Sequence, residues 1–388
     1  MNSFVYNIPT KVYFGENQLH NLGAEISVYG KRVLMTYGGG SIKRTGLYDR
    51  VMAELKKCGA EVYELGGIDP NPRVSSVREG ARICKEHNID VLLAVGGGST
   101  IDCTKWIAAS ACVDHDAWDF FNEKKAPVNK ALPIITILTL AATGSEMDSG
   151  GVISNPETND KIGRLSPLLF PKVSFLDPTV TYTVSRYQTA CGTADIFSHI
   201  CEVYFNMNKD LEMLDQIMEA LMRTLIQFAP VALEKPDDYE ARANLMWTSS
   251  WAINGFINGG KVKAWSCHPM EHELSAFYDI THGLGLAILT PRWMRYCMNE
   301  TTMPRLARFA RNVFGVKEEC DRKAAEDGIA CMEKFLYGTL GLKDNLSELG
   351  IDDSKFAVMA EKACGGDCIH GFVDLRKEDI EKIYRMCL

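Results

Sequence analysis

The segment that indicates the fold class is Asp90-Val91-Leu92-Leu93-Ala94-Val95, followed directly by Gly96-Gly97-Gly98-Ser99. Its first part is almost entirely apolar, which is typical of a strand covered on both faces. The glycines predict a tight turn, and a helix is predicted to open directly after them. A strand, a turn and a helix in this order form the repeating unit of a parallel sheet flanked by helices.

Similar units fill the rest of the first half of the chain. The predicted strands lie at 32–37, 62–65, 90–95 and 134–138, and the predicted helices lie at 47–58 and 74–87. After about residue 186 the strand pattern fades, and helical periodicity prevails at 211–228, 239–256, 268–278, 326–340 and 378–386. We therefore predict an α/β domain of residues 1–186 with a parallel sheet, and an all-helical domain of residues 187–388.

Composition excludes several classes of protein. The net charge of −8 argues against a nucleic-acid partner or an anionic membrane surface. The sequence contains no run of about eighteen apolar residues, so no membrane span is predicted. The N-terminus lacks the pattern of a signal peptide. The 13 cysteines form no C-x-x-C pair, which is typical of reduced thiols in a cytoplasmic protein.

Four of the eight histidines fall between residues 194 and 283, and they suggest a metal site. Asp195 and His199 are four residues apart, as are His268 and His272, so each pair shares one face of a helix. His282 follows. A single pair of this kind is more often a surface pair or a capped polar group of the core. The apolar neighbours of Asp195 predict a buried helix, however, and buried Asp and His side chains need partners such as a divalent metal.

Glycine-rich turns suggest a nucleotide site. The turn at Gly97 and Gly98 would let the backbone approach a pyrophosphate at the N-terminus of the following helix. Ser99 is predicted to cap that helix, with Asp102 three residues further on. The alternative is a tight turn without a ligand, and the spacing is not that of a standard Rossmann fingerprint. A second glycine turn at 38–41 and a hydroxyl-rich segment at 139–145 favour the nucleotide, because both follow strands of the predicted sheet.

Longer strings resemble the iron-containing (group III) alcohol dehydrogenase family, and in particular its butanol dehydrogenase branch. The strings lie at 8–15, 96–102, 142–146, 195–199, 265–272 and 282–283, and the resemblance covers essentially the whole chain. It implies a dehydroquinate synthase-like fold, with an α/β domain followed by a helical domain. It also implies reversible reduction of short-chain aldehydes to primary alcohols by NAD(P)H, with one divalent metal, Fe²⁺ or Zn²⁺.

The resemblance implies a role for each matching residue. The metal ligands would be Asp195, His199, His268 and His282, and His272 would lie near the metal in the proton path. The residues expected to contact the cofactor are Gly97, Gly98, Ser99, Asp102, Thr139, Thr143, Lys161 and Asn71, the last lying in the Asp69-Pro70-Asn71-Pro72 turn. Lys161 would reach a ribose, within a segment that is less typical of the family than its surroundings.

The cofactor preference is expected to depend on the first glycine turn. Gly38, Gly39 and Ser41 stand where NAD-preferring members of the family tend to place an acidic residue. An acid there would bond the ribose 2′-hydroxyl and repel a 2′-phosphate. Lys43 adds positive charge nearby. We therefore expect NADP(H) to be favoured over NAD(H).

Three other functions are alternatives to that of an aldehyde reductase. A polyol dehydrogenase of the glycerol or propanediol type would need extra polar groups, whereas the residues near the site include the aromatic Trp251, Phe256, Trp265 and Phe277. A lyase of the dehydroquinate synthase type would need several basic residues for a phosphorylated acid, but only Lys261 and Lys263 shortly precede His268. A metal-stabilised nucleotide-binding protein without enzymatic activity is the third. We expect a small-molecule aldehyde or alcohol as the substrate and a homodimer as the assembly.

Overall fold

The computed structural model describes residues 2–207, 211–261 and 265–388. It divides the chain into two compact units. The first, called here the sheet unit, consists of Asn7–Val184 and Asp237–Ser250, and the second, called the helical unit, consists of Met1–Tyr6, Ser185–Pro236 and Trp251–Leu388. The sequence-based division at residue 186 differs from these units in three segments, residues 1–6, 185–186 and 237–250. As a division by function it remains a prediction.

The core of the sheet unit is a parallel sheet of six strands. They are β1 (Lys11–Phe14), β2 (Arg32–Tyr37), β3 (Glu61–Leu65), β4 (Val91–Gly96), β5 (Ile134–Leu138) and β8 (Val173–Leu176), and their order in the sheet is β1-β8-β5-β4-β2-β3. The central strand β4 is buried along its whole length, as its apolar sequence predicted, whereas the edge strands β1 and β3 are partly exposed. The predicted parallel sheet is confirmed.

Helices cover both faces of this sheet. They are α1 (Leu22–Ser27), α2 (Ser41–Arg44), α3 (Leu47–Lys57), α4 (Val74–Glu86) and α5 (Gly98–Ser110). Side chains of α1 and α3, such as Leu22 and Val51, form the apolar core on one face, and side chains of α4 and α5, such as Val77 and Trp106, form it on the other. This two-sided burial explains why β2, β4 and β5 are nearly continuous apolar runs.

Strands β1 and β8 and an antiparallel hairpin were not among the predicted elements. The hairpin consists of β6 (Gly150–Asn155) and β7 (Asp160–Leu165) and forms a separate two-stranded sheet. Its second strand contains Asp160, Lys161 and Arg164, so its composition is too polar to be recognised as a strand from apolar pattern alone.

The helical unit is built almost entirely from helices. They are α6 (Arg186–Tyr204), α7 (Glu212–Glu234), the last residues of α8 (Tyr239–Ile253), α9 (Cys267–Tyr278), α10 (His282–Cys297), α11 (Met303–Phe314), α12 (Asp321–Glu333), α13 (Phe356–Cys364) and α14 (Lys377–Met386). The helix predicted at 326–340 is instead the end of α12 followed by a π-helix at Lys334–Thr339. Among the described residues, no helix combines the length and apolarity needed to cross a membrane.

Candidate metal centre and nucleotide-binding loops

Helix α6 supplies the first two residues of the candidate metal centre. The helix begins after Ser185, whose hydroxyl oxygen accepts a hydrogen bond from the backbone N–H of Gln188. Asp195 and His199 follow on one face, and both are buried. The Nε2 atom of His199 lies 3.5 Å from the Oδ1 atom of Asp195. The predicted spacing therefore brings these two side chains together.

Helices α9 and α10 direct two more imidazoles at the same oxygen. The Nε2 atoms of His268 and His282 lie 3.8 Å and 3.7 Å from Oδ1 of Asp195. Neither Oδ1 of Asp195 nor Nε2 of His268 has a hydrogen-bond partner among the described residues, although both atoms are buried. Ligands bound to one tetrahedral metal at about 2.0–2.2 Å lie about 3.4 Å apart. The distances and the two unpartnered atoms therefore fit a divalent cation.

The charges of these groups agree with a ligand cluster. Burial lowers the pKa of His199 to about 3, so its imidazole is neutral. Burial alone would raise the pKa of Asp195, but the imidazoles of His199, His268 and His282 outweigh it and hold that pKa well below the usual range. Burial also opposes protonation of His268, but the carboxylates of Asp195 and Glu202 raise its pKa to about 9. A cation would take the place of that proton, because imidazole ligands must be deprotonated.

Glu202 fixes the orientation of His268. Its Oε1 atom accepts hydrogen bonds from Nδ1 of His268 at 3.0 Å and from the backbone N–H of His268 at 2.8 Å. Its Oε2 atom accepts one from the backbone N–H of Ser266 at 2.7 Å. A proton held on Nδ1 leaves the lone pair of Nε2 facing Asp195, which is how carboxylates orient histidine ligands of metals.

Glu271 holds His282 in the same manner. Its Oε2 atom accepts a hydrogen bond from Nδ1 of His282, and its Oε1 atom accepts one from the hydroxyl of Ser275. Neither Glu202 nor Glu271 was among the residues predicted for the site. Helical spacing could have found Glu202, which lies on the same face of α6 as Asp195 and His199. Glu271 lies inside the 265–272 string, in which only His268 and His272 were interpreted as site residues.

Gly283 allows α10 to approach α6. A Cβ atom at this position would overlap the backbone carbonyl of Cys191, one helical turn before Asp195. Only a residue without a side chain permits the two backbones to lie so close. The glycine therefore determines how near His282, its neighbour in the sequence, comes to Asp195.

His272 lies beside the cluster. Its ring centroid is 6.4 Å from that of His268 and 5.8 Å from that of His282. Ligand atoms of Glu271, His272 and His282 form a second group that overlaps the group of Asp195, His268 and His282. This position agrees with the expectation that His272 lies near the metal, and its role in proton transfer remains a prediction.

The glycine turn after β4 is a close packing point. Helix α5 begins at Gly98, and Gly97 is its N-cap. A Cβ atom at Gly98 would overlap the Thr143 side chain, and the backbone N–H of Thr139 donates to the carbonyl of Gly96 at 3.0 Å. The structure thus brings the turn and the hydroxyl-rich segment into contact, as expected for strands that end at one edge of a sheet.

The predicted capping roles of Ser99 and Asp102 are wrong. The hydroxyl of Ser99 donates to the carbonyl of Pro70 instead of capping the helix. The carboxylate of Asp102 accepts hydrogen bonds from the hydroxyl of Ser145 at 2.5 Å and from the backbone N–H of Val152 at 2.8 Å. Because Gly97 is the N-cap, Ser99 and Asp102 each lie two residues too far into the helix to act as the cap and its N3 partner. Burial raises the pKa of Asp102 to about 6.

A buried lysine extends this network. The Nζ atom of Lys105 donates to the hydroxyl of Ser145 at 2.9 Å and to the carbonyl of Gly150 at 2.7 Å, and it pairs with Asp148. Asp102 and Lys105 thereby tie α5 to the segment after β5 and to the β6–β7 hairpin. Both carboxylate oxygens of Asp102 accept hydrogen bonds from the protein, so this residue holds in place the loop that contains Thr139, Thr143 and Ser145.

The first glycine turn is open to its surroundings. Gly40 has a φ of 85°, a conformation that favours glycine, and α2 begins at Ser41. A Cβ atom at Gly39 would meet no heavy atom within 4 Å, whereas one at Gly38 would contact the carbonyl of Ile68 at 3.4 Å. The turn therefore has room for a ligand beside Gly39.

An acidic residue reaches this turn from the neighbouring strand. Glu64 of β3 accepts hydrogen bonds from the hydroxyls of Tyr37 and Tyr48 at 2.8 Å and 2.6 Å. The Nζ atom of Lys43 lies 3.6 Å from Oε2 of Glu64 and above both tyrosine rings. Lys43 was predicted to add positive charge to this turn, but Glu64 was not predicted to lie beside it. Glu64 reaches the turn through the parallel pairing of β2 with β3, which no local sequence pattern indicates.

The remaining expected cofactor residues lie in the sheet unit. Asn71 is half-buried in the segment between β3 and α4. Lys161 of β7 pairs with Ser154 of β6 in the hairpin and is buried. The positions of Asn71 and Lys161 do not test their expected contacts with the cofactor, which remain predictions.

Of the aromatic residues expected near the site, some lie beside the metal cluster and others pack elsewhere. The ring of Trp265 lies 4.4 Å from that of His268 and 5.5 Å from that of His199. Phe256 instead packs against Tyr6 and Trp251, and Phe277 lies beneath the ammonium of Lys362. Of the two lysines before His268, Lys261 pairs with the buried Asp215 at 2.9 Å, and Lys263 lies outside the described residues.

The two units define a recognisable class of protein. One is a parallel α/β unit with glycine turns at the ends of its strands, and the other is a helical unit with a carboxylate and three imidazoles facing one point. This combination is that of a metal-dependent enzyme that binds a nucleotide.

Comparison with known proteins gives the family. The model of the iron-containing alcohol dehydrogenases matches residues 9–178, and the model of the C-terminal part of that family matches residues 189–388. This chain therefore belongs to the iron-containing alcohol dehydrogenase family, in its butanol dehydrogenase branch, and is an NAD(P)-dependent oxidoreductase. The family predicted from the sequence is confirmed.

Similar proteins cover almost the whole chain. The NADH-dependent butanol dehydrogenase A of Clostridium acetobutylicum is 50% identical over 99% of each chain. The NADPH-dependent aldehyde reductase YqhD of Escherichia coli is 37% identical over 93% of each. A crystal structure of a Thermotoga maritima butanol dehydrogenase A, 39% identical, superposes with a TM-score of 0.95 over 100% of this chain and 99% of the other. A 1,3-propanediol dehydrogenase of Klebsiella pneumoniae is more distant, at 29% identity over 93% of this chain and 92% of its own.

Proposed function

We propose that this chain reversibly reduces short-chain aldehydes to primary alcohols with NAD(P)H, at a divalent metal held by Asp195, His199, His268 and His282. The observation that carries the proposal is the convergence of three imidazole Nε2 atoms, at 3.5–3.8 Å, on one buried carboxylate oxygen. When bound, the metal supplies a Lewis acid for the substrate oxygen and the reduced nicotinamide supplies the hydride.

The ligand set leaves a metal ion with positive charge to act on a substrate. One carboxylate and three neutral imidazoles bring one negative charge to a divalent cation, so the complex retains a net charge near +1. Oxygen and nitrogen ligands of this kind suit both Fe²⁺ and Zn²⁺. Glu202 and Glu271 keep Nδ1 of His268 and of His282 protonated, which directs Nε2 of each ring at the ion.

His272 is the proposed proton-transfer residue. Its ring lies within 6.4 Å of the rings of His268 and His282, and it is partly exposed. A histidine can accept and release protons near neutral pH. His272 would donate a proton to the oxygen of the product alcohol, directly or through water.

The glycine turns and the hydroxyl-rich segment are the proposed nucleotide site. The backbone of Gly97, Gly98 and Ser99 at the start of α5 would hold the pyrophosphate, with the helix dipole behind it. The hydroxyls of Thr139 and Thr143 would bond the cofactor beside it, and Lys161 and Asn71 complete the proposed contacts. Asp102 acts by holding Ser145 and the backbone of Val152 in place.

The preference for NADP(H) over NAD(H) stays a prediction. The open space at Gly39 and the lack of an acidic side chain in the 38–41 turn support it. Glu64 opposes it, since it neutralises Lys43 and would itself repel a 2′-phosphate. The names of the similar butanol dehydrogenases specify NADH, and that of the aldehyde reductase specifies NADPH.

The substrate is proposed to have a short apolar chain. Trp265 lies against the rings of His199 and His268 and would offer an apolar surface beside the metal. A polyol dehydrogenase has weaker support, because its named relative is more distant. A lyase acting on a phosphorylated acid is disfavoured, since Lys261 is already paired with Asp215.

A homodimer and a cytoplasmic location also remain predictions. The 13 cysteines are all free thiols in the structure, in agreement with a reducing compartment. Light scattering of the purified protein would test the dimer.

The proposed function is tested on protein stripped of metal and reloaded under anaerobic conditions with Fe²⁺ or Zn²⁺. Butyraldehyde reduction is followed by the absorbance of NADPH and of NADH. We expect activity to return only with metal. Turnover without any metal would contradict the role of the four ligands, and metal binding without turnover on aldehydes would direct the search to polyols.

A further inference from the structure

A second group of metal-ligand side chains lies far along the sequence from the catalytic residues. Ligand atoms of Asp367, Cys368 and His370 all lie within 4.8 Å of one another. The Sγ atom of Cys368 is 3.4 Å from Nδ1 and 3.5 Å from Nε2 of His370. Nδ1 of His370 also lies 3.0 Å from Oδ1 of Asp374. We call these four residues the tail cluster.

The backbone that carries the tail cluster is held in place. Ile369 and Leu375 exchange two backbone hydrogen bonds of 2.9 Å across an antiparallel bridge. Both side chains are buried, as is that of Phe372, which packs against the rings of Phe205 and Trp293. The segment from 367 to 375 is therefore a loop anchored in the core at three points.

The anchoring decides where the ligand side chains project. Successive residues of an extended segment point to opposite sides. Because Ile369 points into the core, its neighbours Cys368 and His370 project away from it, and Asp374 does so beside Leu375. Cys368 is half-buried, whereas Asp367, His370 and Asp374 are exposed, so an ion could enter from solvent.

We propose that the tail cluster is a second metal site, which binds Zn²⁺ through the thiolate of Cys368, the imidazole of His370 and the carboxylate of Asp367, while Asp374 holds the ring of His370 in place. Thiolate and imidazole together select a borderline ion such as Zn²⁺ over Mg²⁺ or Ca²⁺. The site is independent of the proposed function. It differs from the catalytic cluster in its chemistry, since the groups that converge on Asp195 are imidazoles and contain no sulfur.

Zinc at this site would stabilise the loop. The three ligands lie on the Ile369 side of the Ile369–Leu375 bridge, and Asp374 on the other side pairs with His370, so one ion would strengthen the link between the two strands. The loop packs through Phe372 on Phe205, which directly follows the end of α6. An ion that binds only the folded state raises the free energy of unfolding in proportion to the logarithm of its concentration above Kd.

Cobalt provides a selective probe of this site. The protein, carrying its catalytic metal, is titrated with Co²⁺, and absorption is followed in the near-ultraviolet, where cobalt–thiolate complexes have a charge-transfer band. A nitrogen and oxygen site gives no such band, so replacement of the catalytic ion by cobalt would not produce it. We expect the band to saturate at one Co²⁺ per chain and to disappear when Zn²⁺ is added.

Variants identify the ligands. Cys368→Ser should abolish the band, and His370→Ala should weaken Co²⁺ binding by about tenfold or more. Cys320→Ser is the matched control, because Cys320 is an exposed cysteine in another part of the helical unit. Both tail variants should retain butyraldehyde turnover, whereas Zn²⁺ should raise the melting temperature of the wild type more than that of Cys368→Ser. Absence of the band in the wild type, or its persistence in Cys368→Ser, would overturn the proposal.

Discussion

Glu202 and His268 lie 66 positions apart in the sequence, and Oε1 of Glu202 lies 3.0 Å from Nδ1 of His268. The carboxylate is fully enclosed and also accepts the backbone N–H groups of Ser266 and His268. This single side chain therefore fixes both the start of α9 and the tautomer of the imidazole that faces Asp195. It links the two helices that carry three of the four proposed ligands.

We expect Glu202→Gln to weaken binding of the catalytic metal by about 10- to 100-fold. An amide offers one oxygen acceptor where the carboxylate offers two, so one of its three N–H partners loses its bond. Competition with a chromophoric chelator for Zn²⁺ measures the affinity. Glu361→Gln, at an exposed position of α13, is the control and should bind zinc like the wild type. Equal affinities for the two variants would show that Glu202 does not orient a ligand.

His268→Ala and His272→Ala should behave differently. Loss of His268 removes a proposed ligand, so metal and activity should be lost together. Loss of His272 should leave the metal content unchanged and lower kcat on the order of 100-fold, the usual contribution of a proton-transfer residue. Metal analysis and aldehyde reduction are measured on the same preparations. A metal-free His272→Ala protein would place His272 among the ligands.

Gly283→Ala should separate α10 from α6. The added Cβ atom would overlap the carbonyl of Cys191, so the helices must shift at a cost of about 1–3 kcal/mol. Urea unfolding should show the lost stability, and the chelator assay should show weaker zinc binding. Gly338→Ala is the matched control, because its Cβ atom would meet Lys334 at an ordinary 3.7 Å. Unchanged zinc affinity in Gly283→Ala would mean that this glycine does not position His282.

Glu64→Gln should shift the cofactor preference toward NADPH. The change removes a negative charge and frees Lys43, and a partly exposed pair of this kind changes kcat/KM by about two- to fivefold. Gly39→Asp should shift the preference the opposite way by about tenfold, equivalent to about 1.4 kcal/mol of repulsion against a 2′-phosphate. The ratio of kcat/KM for NADPH and NADH is the measurement. An unchanged ratio in both variants would show that this turn does not contact the 2′ position.

Asp102 should make stability depend on pH. Burial raises its pKa to about 6 in the folded protein, from 3.8. The folded state therefore disfavours the ionised carboxylate. The free energy of unfolding is unaffected below about pH 4, falls as the pH rises to about 6, and is lower by about 3 kcal/mol above that pH.

Asp102→Asn should remove this dependence while keeping the bonds to Val152 and Ser145, since an amide can accept one and donate the other. Its free energy of unfolding relative to the wild type should rise between pH 5 and pH 7.5. Urea unfolding across this range is the measurement, and Asp327→Asn on the exposed face of α12 is the control. Parallel pH profiles for the wild type and Asp102→Asn would contradict the prediction.

The sequence by itself determined the elements whose pattern is local. The apolar run before Gly96 identifies β4, because a strand covered on both faces must be apolar throughout. The spacing of Asp195 and His199 places both on one face of α6, because a helix repeats every 3.6 residues. The polar strand β7 carries no such pattern and was missed.

The tertiary structure decided everything that depends on contacts between distant segments. His268 and His282 reach Asp195 only because α9 and α10 pack on α6, and Gly283 sets how closely they do so. Glu202, Glu271 and Glu64 meet their partners in the same way, through helix packing and strand pairing. Local spacing determines which side chains share a face of one helix or strand. Which distant residues contact that face depends on how the whole core packs.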